Sequence, residues 1–418
     1  MTIHRVVVTG LGAVTPIGNT VPDMWQAMLE GKSGAGPITQ FDASKFKTQF
    51  ACEVKNFDPS SFLDRKEARK MDRFAQMALA SAIEAVGQAK LDWATEDKDR
   101  IGVVIGSGMG GLKSFEIGST DFVKGDGRPF YSPFFIPNTI TNMGAGHISL
   151  YFGLKGPSFN ISTACSSGSH AISAAFDLIR MGKSDVILAG GADSDVTVSG
   201  IGGFNAMHAL STRNDDPEHA SRPYSKSRDG FVLGEGAATI VLESYEHALQ
   251  RGATIIAELV GAATNSDAYH MTAPDPSGTG AAKVMRLAIE DAGIEPKDID
   301  YINAHGTSTP LGDVAELKAI QDTFQAHAYE LNISATKSMT GHLIGATGVV
   351  EAIACVLALQ NGIVPPTINH DEADKDENID YNLNFTFNKP QRREMHYALT
   401  NTFGFGGHNA SLVFKKWE

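Results

Sequence analysis

The sequence predicts an α/β protein built from two similar halves, because strands and helices alternate along it and two of its segments recur. Short β-branched runs alternate with helical stretches from one end of the chain to the other. Many of these runs are continuously apolar, which is typical of strands buried on both faces. The 418 residues include 43 glycines, an excess that indicates many tight turns between strands and helices.

The individual elements follow from these runs. Strands are predicted at residues 5–9, 101–105, 185–189, 238–242, 254–260, 300–303 and 411–414. Helices are predicted at residues 70–88 and 278–292, between strands, and the acidic segment 371–380 is predicted to be a surface loop.

Two internal echoes predict the duplication. FVLGEGAATIVLE at 231–243 and FGFGGHNASLVFK at 403–415 both run from a glycine-rich turn into a strand. CSSG at 165–168 and HLIG at 342–345 both open an apolar helix. We expect one half at residues 1–252 and the other at 253–418, meeting near Gly252. No Pro/Ser-rich linker marks the joint, so the halves are expected to pack as one body.

Composition excludes several classes of protein. The chain has 35 basic and 48 acidic side chains, a net charge of −13, which argues against a nucleic-acid binder that works by counterion release. Three widely spaced cysteines form neither a disulfide framework nor a metal-binding pair. The N-terminus lacks the pattern of a signal peptide, and no run of about 18 apolar residues predicts a membrane span. A soluble cytoplasmic protein is the expectation.

The first candidate for chemistry is Cys165, in NISTACSSGSH at residues 160–170. An extended segment leads through small residues into an apolar helix, so the sulfur is expected at a helix N-terminus. The free backbone N–H groups there favour the thiolate and can hold an oxyanion. A small buried cysteine that fills a tight turn remains the alternative.

Three further segments carry candidates. NAHGTST at 303–309 places His305 past a predicted strand, where α/β active sites gather, and adds the hydroxyls of Thr307 and Thr309. KSMTGHLIGATG at 337–348 contains Lys337 and His342. NTFGFGGHN at 401–409 brings glycine backbone close to a neighbour, with phenylalanines that can wall a pocket. For each segment alone, a locally satisfied polar loop or a tight turn is the alternative.

In this order, the four segments resemble the β-ketoacyl-[acyl carrier protein] synthase family, nearest to its elongating type II members. The resemblance begins with VVVTGLGAVTPIG at 6–18, includes STRNDDPEHASRPYSKSRDGFVLGEGA at 211–237 and ends with FGFGG. It implies a thiolase-like fold, a five-layered αβαβα sandwich of two similar halves, working as a homodimer. It also implies fatty-acid elongation, in which acyl-carrier and malonyl-carrier condense with loss of CO2 to give a 3-oxoacyl-carrier.

The resemblance also implies catalytic roles. Cys165 matches the nucleophile that receives the acyl chain as a thioester. His305 and His342 match the pair that promotes malonyl decarboxylation, with Lys337 beside them. The backbone N–H groups of Cys165 and Phe403 match an oxyanion hole.

Substrate contacts are implied in the same way. Thr307 and Thr309 match residues that hold the pantetheine arm. Phe403 also matches a gate that shifts when the acyl chain enters, and Met109, in GSGMGG at 106–111, matches an apolar residue that lines the acyl pocket. No cofactor and no metal are expected in the chain itself, since the phosphopantetheine belongs to the carrier.

A basic run, RKEARKMDR at 65–73, stands out in an acidic protein. Acyl carrier proteins are acidic, so we expect Arg65, Lys66, Arg69 and Lys70 to steer and dock the carrier, with Arg73 on the same exposed face. A solvated helix end is the alternative.

Two positions depart from the family pattern. His208 stands where arginine is frequent, and His408 replaces a frequent threonine.

Three other functions fit part of this pattern. A polyketide ketosynthase would carry out the same chemistry on a different acyl chain. A non-catalytic chain-length-factor subunit lacks the nucleophile, so Cys165 counts against it. A thiolase shares the fold without needing two histidines.

Overall fold

The computed structural model describes residues 3–125 and 128–418 and places ten strands in one mixed sheet. In chain order the strands are β1 Val6–Val14, β2 Ile101–Gly106, β3 Ser158–Ile161, β4 Val186–Asp193, β5 Gly236–Ser244, β6 Ala257–Ser266, β7 Tyr301–Asn303, β8 Asn332–Ser334, β9 Tyr397–Gly404 and β10 His408–Lys416. Across the sheet the order is β3-β2-β4-β5-β1-β6-β10-β9-β7-β8. Two short ladders lie apart, Gly36–Pro37 with Phe50–Ala51 and Ile363–Val364 with Gln391–Arg392.

The second five strands repeat the pairing of the first five. β1 pairs antiparallel with β5 and β5 with β4, whereas β4, β2 and β3 are parallel to one another. β6, β10, β9, β7 and β8 pair in the same sequence of directions. The halves join where residues 6–8 run antiparallel to 257–259. Two similar halves are therefore confirmed, and their boundary at residue 252 stays a prediction within the link between β5 and β6.

The helices lie between these strands in the chain. They are α1 Val21–Leu29, α2 Arg65–Ala68, α3 Arg73–Ala89, α4 Leu112–Lys124, α5 Phe135–Thr139, α6 Met143–Phe152, α7 Ser167–Arg180, α8 Val198–Ala206, α9 Tyr245–Gln250, α10 Thr279–Asp291, α11 Pro310–Phe324, α12 Lys337–Thr340 and α13 Thr347–Asn361. α3 packs on β1 and β5, and α10 packs on β6 and β10. α7 and α13 contact each other and strands of both halves, so they form the middle of five layers. The predicted αβαβα sandwich is confirmed.

The seven predicted strands all exist, with shifted ends. β6 begins three residues later than predicted and continues to Ser266. β9 was not predicted, because the polar side chains of Thr400, Asn401 and Thr402 interrupt its buried run. α3 begins later than the predicted residue 70, because a carboxylate oxygen of Asp72 accepts the N–H of Phe74 and caps the helix there.

The structure supports the predicted register of the first internal echo but not that of the second. β5 and β10 begin five residues after Phe231 and Phe403, so the first echo holds in its predicted register. The second echo is three residues out of register. Ala164, at φ 51°, and Ile344, at φ 50°, each begin a 3-10 turn that leads into α7 and α13 respectively. The structural equivalent of Cys165 is therefore Gly345, not His342.

One expectation about membranes was wrong in its detail. The stretch Ile344–Asn361 is long and apolar enough to cross a bilayer, although no such run was expected. It is 89% buried inside the fold, because α13 lies in the central layer with strands of both halves packed against it.

Asp193, at the end of β4, fastens the two halves together. Its buried carboxylate accepts hydrogen bonds from Ser107 Oγ at 2.7 Å, Gly108 N at 2.8 Å, Met109 N at 3.2 Å and Gly345 N at 2.7 Å. The first three donors follow β2 in the first half, and the last precedes α13 in the second. One side chain thus joins the segment after β2 in the first half to the entry turn of α13 in the second.

We predict that Asp193→Ala lowers the free energy of unfolding by about 3 kcal/mol, because four buried donors lose their acceptor. Urea denaturation at neutral pH measures the change. As a control, Asp322→Asn removes an exposed ion pair with Arg286, and its effect should stay below about 1 kcal/mol. Equal losses of stability in the two variants would contradict the role of Asp193.

Candidate active site

A cavity of about 510 Å³ is lined by residues of both halves and contains most of the predicted site. Cys165, His305 and His342 all line it, although they lie in three segments separated by up to 177 residues of chain. Thr307 and Thr309 line the same cavity. The structure therefore brings together the side chains that the sequence singled out separately.

Cys165 lies in the 3-10 turn Ala164–Ser166, immediately before α7, as predicted. Burial raises the pKa of its thiol to about 11, against the cation of Lys337 and the backbone N–H of Phe405, which lower it. Backbone N–H groups lower this pKa, in the direction expected at a helix N-terminus, without offsetting the rise. The thiol is 7% exposed, and loss of water outweighs the favourable dipoles.

His305 follows β7 and is held on its backbone and on its ring. Its N–H and that of Gly306 donate to the two oxygens of the Glu316 carboxylate, each at 2.8 Å. Nζ of Lys337 donates to the His305 carbonyl at 2.5 Å and lies 3.2 Å from Nδ1. An ammonium has only donors, so Nδ1 is the acceptor and the ring hydrogen of neutral His305 is on Nε2.

His342 lies in the turn between α12 and α13. Its Nδ1 accepts the N–H of Ile344 at 3.3 Å and lies 2.9 Å from Oγ1 of Thr347. The same argument therefore places its ring hydrogen on Nε2. The two imidazoles meet edge to face, with centroids 5.5 Å apart.

Both imidazoles are neutral at physiological pH. Burial holds the pKa of His305 and of His342 well below the ordinary value, and the Lys337 cation lowers both further. Two neutral rings, each with a fixed Nε2–H, are hydrogen-bond donors that carry no charge of their own. Such a pair is suited to stabilising a negative oxygen that develops during a reaction.

Two buried acids beside this site, Glu316 and Glu351, were not among the predicted residues. Nζ of Lys337 donates to Oε1 of Glu351 at 2.6 Å in a fully buried ion pair. Burial raises the pKa of Glu351 to about 8, and the Lys337 cation opposes this rise. Burial raises the pKa of Glu316 to about 7, against the N–H groups that it accepts. Carboxylates at helical positions carry no sequence signal that distinguishes these two from surface acids.

The last loop places Phe405, not the expected Phe403, at the sulfur. The backbone N–H groups that favour the Cys165 thiolate are those of Phe405 and of Cys165 itself. Phe403 instead pairs with Asn409 in the β9–β10 ladder, and its ring lies 5.6 Å from that of His305. Both phenylalanines line the cavity.

The other residues predicted to contact substrate do not all line the cavity. The hydroxyls of Thr307 and Thr309 lie 3.0 Å apart, just before α11. Met109 lies outside the cavity lining, on the surface of the isolated chain with 37% of it exposed. His208 lines the cavity near its rim, whereas His408 follows the glycine turn, with its ring edge to face with His170.

The basic run forms α2 and the turn after it. Arg65, Lys66 and Arg69 are exposed, and Arg65 and Arg69 line a surface recess of about 420 Å³. Lys70 is paired with Glu67 at 2.5 Å. Arg73 does not share the exposed face, because its guanidinium is drawn inward to the buried carboxylate of Glu235 at 2.7 Å.

The chain matches two family descriptions that together span most of its length. Residues 4–248 match "Beta-ketoacyl synthase, N-terminal domain", and residues 256–371 match "Beta-ketoacyl synthase, C-terminal domain". The chain is 50% identical to 3-oxoacyl-[acyl-carrier-protein] synthase 2 of Coxiella burnetii over 413 residues, 99% of each chain. It is also 50% identical to the Vibrio harveyi protein of the same name over 417 residues, 100% of this chain and 99% of that one.

Solved structures show the same fold. A β-ketoacyl synthase from Burkholderia phymatum superposes with a TM-score of 0.91 and 36% identity, over 99% of this chain and all of that one. A ketosynthase in complex with its type II polyketide acyl-carrier protein superposes with a TM-score of 0.91 and 33% identity over the whole of both chains.

We predict that alkylation of Cys165 by iodoacetamide accelerates about tenfold per pH unit between pH 7 and pH 10, because the thiolate fraction rises steadily below a pKa of about 11. Lys337→Met should slow alkylation at pH 8, since the nearby cation lowers that pKa. A Cys52→Ala background removes the second thiol, whose pKa burial raises to about 12. A rate that levels off below pH 8 would contradict the assignment.

Proposed function

This chain belongs to the β-ketoacyl synthase family, and on that premise we propose how its residues share the reaction. It is a condensing enzyme of fatty-acid elongation, which joins an acyl chain to two carbons of a malonyl group. The observation that carries the proposal is that one cavity is lined by a cysteine and by two neutral histidines with fixed Nε2–H donors.

Acyl transfer is the first step. The Cys165 sulfur attacks the thioester carbonyl of the acyl-carrier, the carbon–sulfur bond to the pantetheine breaks, and the cysteine proton passes, in net terms, to the departing thiol. The cation of Lys337 and the N–H of Phe405 favour the thiolate that reacts. The N–H groups of Cys165 and Phe405 would also hold the oxyanion of the tetrahedral intermediate. We propose Phe405 in place of Phe403 for this second donor.

Decarboxylation follows on the second substrate. The thioester oxygen of the malonyl group accepts hydrogen bonds from Nε2–H of His305 and of His342. As the bond to the carboxylate breaks, CO2 leaves and the electron pair forms an enolate on that oxygen. Neutral donors stabilise the enolate without protonating its carbon outright, which suits a carbon nucleophile. Lys337 supplies the positive field and holds His305 in place.

Condensation completes the cycle. The enolate carbon attacks the acyl carbonyl on Cys165, and the tetrahedral oxyanion returns to the same two backbone N–H groups. Collapse expels the Cys165 thiolate, which takes a proton from solvent. The product is a 3-oxoacyl-carrier that is two carbons longer.

The carrier supplies the reactive arm. Thr307 and Thr309 hold the pantetheine by their hydroxyls, which face the cavity as a pair. The chain needs no cofactor of its own, because the phosphopantetheine arrives on the partner. The exposed cations of Arg65, Lys66 and Arg69, with Lys70, dock the acidic carrier in the cytoplasm.

A second copy of the chain is the other partner. Exposed apolar side chains gather on α4 to α6, where Tyr131 stacks on Phe122 and contacts the ring of Phe135 at a tilt. An apolar surface of this extent is typical of a protein–protein contact. Met109, 37% exposed in the isolated chain, would line the acyl pocket if this dimer contact covers it.

The alternative functions are less well supported. The polyketide ketosynthase structure is 33% identical, whereas curated fatty-acid synthases reach 50%. A chain-length-factor subunit needs none of the three catalytic side chains that this cavity contains.

We predict that His305→Ala and His342→Ala each lower malonyl decarboxylation by about 10²–10³-fold, the usual effect of losing one oxyanion donor, while acyl transfer to Cys165 persists. Carbon dioxide release and mass spectrometry of the acyl-enzyme separate the two half-reactions. Cys165→Ser should carry no acyl group, and Cys355→Ala should behave as the wild type. Normal carbon dioxide release from either histidine variant would refute their assigned role.

We predict that the double variant Lys66→Glu with Arg69→Glu raises the KM for acyl-carrier and weakens its dependence on salt, since steering acts over a Debye length of about 8–10 Å. Turnover of a free acyl-pantetheine should not change. Lys389→Glu with Arg392→Glu makes the same change in net charge elsewhere on the surface. If both double variants shift the KM equally, net charge and not a docking site explains the effect.

A further inference from the structure

Arg228 lies behind the cavity wall and does not line it. It is 5% exposed, yet its guanidinium finds a partner on every side. Nε donates to the Thr309 carbonyl at 3.1 Å and Nη2 to the Pro310 carbonyl at 2.9 Å. Nη1 donates to the Ser225 carbonyl at 2.6 Å and to Oδ2 of Asp376 at 2.8 Å. Two of these four acceptors are Thr309, in the threonine pair, and the next residue, Pro310, which begins α11.

Asp313, in the first turn of α11, is a further partner of Arg228. We call Arg228 and the groups that hold it the clamp. The buried carboxylate of Asp313 lies 3.4 Å from Nε of Arg228 and accepts the N–H of Ser308 at 3.1 Å and of Tyr224 at 3.0 Å. Ser308 adopts φ +66°, a left-handed conformation that a non-glycine residue keeps only when its surroundings hold it. Because Ser308 lies between Thr307 and Thr309, its conformation sets the direction of both hydroxyls.

The far end of the clamp is the acidic loop at residues 371–380. Asp376 bonds Arg228, and Asp374 lies 3.4 Å from Nη1 of Arg222 and accepts the hydroxyl of Ser227 at 2.5 Å. The segment is a surface loop, as predicted. Two of its carboxylates, those of Asp374 and Asp376, also anchor the segment that reaches the threonine loop from behind.

We propose that Arg228, with Asp313 and Asp376, is a positioning residue that fixes the Thr307–Thr309 loop for the pantetheine arm. The inference rests on the proposed role of the two threonines. Arginine is required because its planar fork reaches three carbonyls and two carboxylates at once, whereas a lysine ammonium has three donors at one point. The expected effect is on substrate binding and not on the chemical step, since Arg228 touches none of the reacting groups.

The experiment compares Arg228→Lys and Asp376→Asn with the wild type. We expect Arg228→Lys to raise the KM for malonyl-carrier about tenfold at nearly constant kcat, because a lost charged hydrogen bond acts on ground state and transition state alike. Asp376→Asn breaks only the surface end of the clamp and should raise the KM less. Alkylation of Cys165 by iodoacetamide should keep its wild-type rate in both, since it needs no threonine.

The controls separate the possible failures. Arg100→Lys changes an arginine that binds the Gly182 and Lys183 carbonyls and the Asp185 carboxylate, far from Thr309 and Pro310 in the chain, so its KM should stay at the wild-type value. Thr307→Val tests the premise, and an unchanged KM there would overturn the proposed pantetheine role and this inference with it. If Thr307→Val raises the KM but Asp376→Asn and Arg228→Lys do not, the positioning role alone is overturned. Slowed alkylation with an unchanged KM would indicate a general structural role and also overturn it.

Discussion

The active site depends on one buried cation. The ammonium of Lys337 is 1% exposed and has three donors, which it directs at the His305 carbonyl, the His305 ring and the Glu351 carboxylate. Burying such a charge is costly unless each donor finds an acceptor. The same charge acts in two directions, because it disfavours protonation of both imidazoles and favours ionisation of Cys165. A single side chain therefore prepares neutral donors and a nucleophile within one cavity.

The fold and most of the site could be predicted from the sequence, because both produce local sequence patterns. Strands buried on both faces are continuous apolar runs, and Cys165 stands just before an apolar run that predicts a helix. The features that escaped it depend on contacts between distant segments. Burial of the Cys165 thiol requires both halves, and the choice between Phe403 and Phe405 depends on the register in which β9 and β10 pair. The arginine behind the threonine loop was hidden for the same reason.

Duplication of the fold did not duplicate the chemistry. The two entry turns, before α7 and α13, are equivalent in backbone conformation, yet one carries Cys165 and the other Gly345. A Cβ at Gly345 would lie 2.6 Å from Oδ2 of Asp193 and 2.9 Å from the Gly108 nitrogen. The second half therefore has no room for a side chain where the first half has its nucleophile. It contributes instead the histidine that lies three residues before that glycine.

The burial of α13 has a consequence for how the chain is made. This apolar helix is synthesised before β9 and β10, the two strands from the C-terminal end that pack on it. Until β9 and β10 are synthesised, the nascent chain therefore exposes a helix that is long and apolar enough to cross a membrane. A nascent chain in this state presents the kind of surface that chaperones and the insertion machinery recognise. Closure of the central layer over this helix therefore waits until β9 and β10 have left the ribosome.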